Sequence, residues 1–146
     1  QYITTATVPT GSWTHICWSR DNQTCVLEIN GIVITAFDTE NAPSASFNGQ
    51  WNSNAQHFIG RQCRNANQEM DGLLAEVAHV DGTVKSASDF IDGTGSAAKS
   101  KDFTAISGSE GTNGFYFNFQ TNAETNEWGT NWTNNNTVTT TTETPP

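Results

Sequence analysis

The chain has 146 residues, 34% of them hydrophobic and 14% charged, and its 15 acidic residues against six basic ones give a formal net charge of −9. Such a surface repels a phosphate backbone, which argues against nucleic-acid binding, and no apolar run reaches membrane-spanning length, so no membrane insertion is expected. Five Trp and eight Phe supply large apolar surfaces for one domain with a core, while the abundant Asn, Thr, Ser and Gly favour turns and exposed sheet faces over helices. The chain begins at Gln1 and its single methionine is Met70, which reads as a processed, truncated or partly observed chain.

In chain order, WTHICWSR (13–20) alternates, with Ile16 and Trp18 on one face and His15 and Cys17 on the other. A turn at DNQ leads to TCVLEIN (24–30), and Asn30-Gly31 then supplies a type I′ hairpin signal, since both residues tolerate positive φ. IVITAF (32–37) is the return strand, so residues 13–37 read as a three-stranded antiparallel meander. Cys17 and Cys25 flank the first turn with the same assigned parity, which allows a bridge between them. The odd total of three, with Cys63, favours reduced thiols in a protein assembled inside a cell.

Residues 38–55 form a polar loop carrying Phe47 and Trp51, and QHFIGR (56–61) reads as a short strand. DGLLAEVAHVDG (71–82) reads as a strand closed by Asp81-Gly82, with Glu76 set among apolar residues. SASDF (86–90) suggests one helical turn capped by Ser86 or Ser88. Residues 91–111 read as a connection, and GFYFNF (114–119) as an aromatic strand. The remainder is rich in Asn and Thr and ends in a low-complexity tail. Many short strands with polar turns predict an all-β sandwich or jelly roll.

The order of Trp13-Thr14-His15-Ile16-Cys17-Trp18, Val26-Leu27-Glu28-Ile29-Asn30-Gly31, His57-Phe58-Ile59-Gly60 and Asp71–Gly82 resembles concanavalin A-like sandwiches of the laminin-G type. Ser88-Asp89-Phe90, Gly111-Thr112-Asn113-Gly114-Phe115-Tyr116 and Asn131-Trp132-Thr133 bring it nearer to laminin-G-like proteins of tailed-bacteriophage virions. The resemblance spans roughly residues 11–133. It implies a laminin-G-like jelly roll over 1–120 whose N-terminal strands are absent, followed by an extended tail over 121–146. A weaker similarity to pentraxins rests on His15-Ile16-Cys17, but Arg61-Gln62-Cys63-Arg64 follows Gly60 where a calcium site would want carboxylates.

Retaining glycosidases need two carboxyl groups about 5–5.5 Å apart. The Glu-x-Asp-x-x-Glu arrangement of sandwich-fold glucanases would align with Glu69, Asp71 and position 74, but position 74 is Leu74. Glu76 lies about 6.6 Å further along a strand, so no catalytic residue is assigned and the protein is expected not to be an enzyme. Glu76 is read instead as a structural carboxylate accepting hydrogen bonds, alongside Asn30, Gly31 and Gly72. Asp38, Glu40, Asp71 and Asp81 match no calcium-loop spacing; no cofactor is expected, with calcium as the lesser alternative. His15, His57 and His79 fit no nucleophile constellation, and the cysteines lack zinc-ligand spacing. Asn22, Asn131 and Asn135 open glycosylation sequons that matter only in a eukaryotic secretory route.

Trp51, Asn52, Trp128 and Trp132 sit among amides, where an indole can stack on a sugar face while amides bond its hydroxyls; the alternative is that each Trp plugs a loop or a subunit contact. The resulting expectation is a non-enzymatic structural or adhesive protein of a tailed-phage virion. It would be made in the host cytoplasm and displayed on the particle surface. Its partners would be other virion subunits, further copies of itself and a host surface glycan. The rival readings are a soluble carbohydrate-binding module, a glycan hydrolase and a pentraxin-like calcium lectin.

Overall fold

The computed structural model describes residues 2–47, 58–60, 70–106 and 109–119. Within them the chain is antiparallel β-structure, joined by one turn of α-helix and two 3-10 turns.

The first strand, β1 (Tyr2–Thr4), is followed by β2 (Ile16–Asp21), β3 (Thr24–Ile29) and β4 (Ile32–Val33), which pair in the order β2-β3-β4 as the predicted meander. Both hairpins close on residues with positive φ: Asn22 (56°) in the first, Asn30 (49°) and Gly31 (72°) in the second. The second is the I′ geometry that matches strand twist. Asn30 also ties the sheet to its entry, because its side-chain oxygen accepts the His15 N–H at 2.8 Å and its own N–H donates to the His15 carbonyl at 2.8 Å.

Register corrects the cysteine reading. Cys17 faces Glu28 and Arg20 faces Cys25 across β2 and β3. Cys25 is therefore three positions from Cys17's partner, and an odd offset places the two thiols on opposite faces of the sheet. Both are free.

The return strand is also shorter than expected. Only Ile32–Val33 form β4, with one further bond from the Ile34 N–H to the Leu27 carbonyl at 2.9 Å. The carbonyl of Ala36 is then taken by the Thr4 hydroxyl at 3.1 Å and the Thr5 N–H at 3.4 Å. This draws the chain off β3 and onto β1, where Phe37–Glu40 form β5, a strand that takes in the end of the predicted return strand and the first three residues of the predicted loop. Phe58–Gly60 are not a strand either: Gly60 turns at φ 74° and its carbonyl accepts the Met70 N–H at 2.7 Å.

Of the strand expected over 71–82, only Val77–His79 pair, forming β6. Its partner β9 (Phe115–Phe117) offers three residues, so Leu73 and Leu74 have no ladder and stay exposed. Between them α1 (Ala87–Phe90) starts at Ser86, whose N–H donates to the Asp89 carboxylate at 2.9 Å. A small hairpin of β7 (Ile91–Asp92) and β8 (Lys99–Ser100) follows, enclosing a 3-10 turn at Gly95–Ala97. A second 3-10 turn spans Phe103–Ile106.

The predicted connection over 91–111 is thus part of the core. Phe90, Phe103, Ile106 and Tyr116 form one buried cluster, with Ala78 and Val80 packed on it. Cys17, Ala87 and Ile91 form a second. Glu28 is the buried acid, and its carboxylate accepts the Ala87 N–H at 2.8 Å, clamping α1 to the meander. That bond satisfies an N–H that the first turn of a helix leaves without an internal partner.

Candidate functional site

The opposite face of the meander from Cys17 and Glu28 carries Trp18, Arg20 and Cys25 in adjacent rows. Tyr2 of β1 reaches over this face and sets its ring edge-on to Trp18 at 5.0 Å and to Phe37 at 5.4 Å. The loop after β5 forms the far wall. Arg20 holds it in place, its Nη2 donating to the carbonyls of Phe47 at 2.8 Å and Ser44 at 3.4 Å while Nε donates to Asn22 O at 2.6 Å. The guanidinium also stands 5.3 Å from the Phe47 ring centroid.

These elements enclose an open groove of about 620 Å³, with Asn41, Ala42 and Pro43 on its floor and rim. Its aromatic walls face solvent: Trp18 is 48% exposed and Phe47 53%. Aromatic planes in an open groove, beside an amide and a fixed guanidinium, can cover the apolar face of a sugar and bond its hydroxyls. Among the described residues no carboxylate lines the groove.

The groove residues differ from those the sequence singled out. Trp51, Asn52, Trp128 and Trp132 lie outside the described residues. So do Glu69, His57 and Cys63. Trp18 was legible only as one apolar position of a strand, and Tyr2, Arg20 and Phe47 carried no assigned role. The signal that could have found them is Trp18-x-Arg20, an arginine two positions from an indole on one sheet face.

Glu76 stands elsewhere, accepting the Tyr116 hydroxyl at 2.7 Å and a second hydrogen bond from the Ser100 hydroxyl. It thereby links β9 and β8 to the approach to β6. Gly72 is exposed, and an added Cβ would meet no atom there. The calcium candidates are not gathered: among the described residues no group of three His, Cys, Asp or Glu side chains could hold a metal ion. Asp81 instead accepts the Asn113 side-chain amide at 3.0 Å.

Burial sets the behaviour of the two groups behind the sheet. The Cys17 thiol is pushed up to about 11, chiefly by burial and then by the nearby Glu28 and Asp89 carboxylates. His15, its ring 6.3 Å from Phe90, is held below the usual imidazole value by burial, which outweighs the opposing pull of Glu28 and Glu76. The contrast between thiols is testable. In a Cys63→Ser variant, a thiol reagent at pH 8 should label half-buried Cys25, whereas Cys17 should react only after denaturation, because the thiolate is the reactive form. Equal labelling rates for the two folded thiols would contradict this placement.

A laminin-G-type family model, described as the concanavalin A-like lectin/glucanases superfamily, matches residues 1–88. The match begins at residue 1, takes in β1, and contains every residue named as lining the groove. No curated protein and no solved structure matches the chain.

Proposed function

The chain belongs to the concanavalin A-like lectin/glucanases superfamily, and from that premise we propose that it is a non-catalytic glycan-binding domain whose contact surface is the Tyr2–Trp18–Phe47 groove. The all-β fold is of a carbohydrate-binding type, and the observation that carries the reading is the pair of solvent-facing aromatic walls, Trp18 and Phe47, the second tied to the sheet by Arg20. Adhesion accounts for the groove better than hydrolysis does. Glycosidic cleavage works through two carboxyl groups flanking the bond, whereas the groove's described lining offers aromatic, amide, guanidinium, thiol and aliphatic groups and no carboxyl, and position 74 carries leucine.

The setting of this activity is a tailed-phage particle, with the domain packed against other virion subunits or further copies of itself. This part rests on the order of the Asp71–Gly82, Ser88–Phe90 and Gly111–Tyr116 motifs. Neighbouring genes for tail or capsid proteins are expected; neighbouring genes for polysaccharide breakdown would favour a free-standing carbohydrate-binding module.

A glycan array probed with purified protein, in buffer with and without EDTA, tests the binding function. Binding to a defined set of sugars, unchanged by EDTA and with no release of reducing ends from the bound glycan, is the expected result. Reducing-sugar release would replace adhesion by hydrolysis, and loss of binding in EDTA would make the protein a metal-dependent lectin.

A further inference from the structure

Resting on the glycan-binding reading, we propose that the groove selects sugars bearing a carboxylate, such as a uronate or a sialic acid, with Arg20 as the anchor for that group. The chain carries 15 acidic residues and only six basic ones, yet the groove's described lining has no acid and includes a guanidinium. Glu40 stands opposite Tyr2 in the β1–β5 register but outside that lining, so Arg20 is the charged group of the described lining itself.

Arg20 is also prepared in advance. Three of its five N–H donors are committed to backbone carbonyls, those of Asn22, Ser44 and Phe47. Its plane is further held beside the Phe47 ring. The two donors on Nη1 make no hydrogen bond to the described protein. A guanidinium already fixed by three bonds loses little side-chain freedom when a ligand arrives. A carboxylate at Nη1 would form charge-assisted hydrogen bonds, roughly twice as strong as those to a neutral hydroxyl, while the sugar ring lies against Trp18 or Phe47. The long-range repulsion of an anion by the net charge is screened over about 8–10 Å at physiological salt, so the preference is decided by contact inside the groove.

The test uses an array of paired glycans: uronate oligosaccharides beside their carboxyl-reduced forms, and sialylated glycans beside the same glycans without sialic acid. Titration calorimetry on the best pair follows. The expected result is about tenfold tighter binding of the acidic member, in one series or the other, which also tells uronate from sialic acid. In Arg20→Gln the preference should fall to near unity, and Arg20→Lys should restore part of it. Equal affinity for acidic and neutral members in the wild-type protein overturns the carboxylate anchor and leaves the glycan-binding function standing. No binding to any glycan overturns both. Because Arg20→Gln also frees the Asn22, Ser44 and Phe47 carbonyls, its preference is read only in protein shown by melting to be folded, and an acid preference unchanged in that folded variant overturns Arg20 as the anchor.

Discussion

Replacing Phe90 by alanine should lower the melting temperature by on the order of 10 °C, corresponding to about 3–5 kcal/mol. Phe90 ends α1 with 8% of its surface exposed. Its ring stands edge-on to Phe103 at 5.2 Å, and Phe103 in turn packs on Tyr116 at 5.0 Å. Its carbonyl accepts the Lys101 N–H at 2.8 Å, so the β7–β8 hairpin is registered from the same residue. The cluster joins α1, the Phe103–Ile106 turn and β9, so closing the cavity left by the ring requires moving one of them. Phe47→Ala provides the contrast: that ring is 53% exposed, and its loss should cost about 1 kcal/mol or less. Thermal melts of the two variants check both figures. Similar shifts for both would contradict the placement of the core.

Gly111→Ala should cost about 2–4 kcal/mol, and its effect should exceed that of Gly11→Ala by about 1 kcal/mol or more. The two glycines have the same φ of 76°, so both substitutions incur the left-handed penalty. At Gly11 an added Cβ meets no atom within 4 Å, whereas at Gly111 it would run into the backbone carbonyl of Asp81. That carbonyl cannot step aside cheaply, since the Asp81 N–H donates to Glu110 O at 2.7 Å and the Asp81 carboxylate accepts from Asn113. The Gly-x-Asn-Gly-Phe-Tyr motif therefore seats the Asp81-Gly82 turn and delivers β9 to β6. Chemical denaturation of both variants gives the difference directly.

Local chemistry was readable wherever a short stretch decides its own conformation. Asn30-Gly31 demands a I′ turn, Ser86 with Asp89 starts α1, and Phe115–Phe117 form a strand. Readings failed where distant chain decided the outcome. The parity of Cys17 and Cys25 depends on how many residues the first turn absorbs. β5 exists because β1 and its threonines capture the Ala36 carbonyl. Residues 91–111 hide Ile91, Phe103 and Ile106 at a spacing that follows neither the strand nor the helix period. The groove is non-local for the same reason: Tyr2, Trp18, Arg20 and Phe47 are brought together by a ring contact between separate sheets and by side-chain bonds to backbone carbonyls.

The most direct measurement is calorimetric titration of wild-type, Trp18→Ala and Phe47→Ala proteins with the strongest array ligand, each variant first checked by melting. Stacking on a groove wall predicts that the Trp18 change weakens binding by about tenfold or more, with a smaller loss for Phe47. Unaltered dissociation constants in both folded variants would show that the sugar docks elsewhere, and the aromatic groove would lose its function.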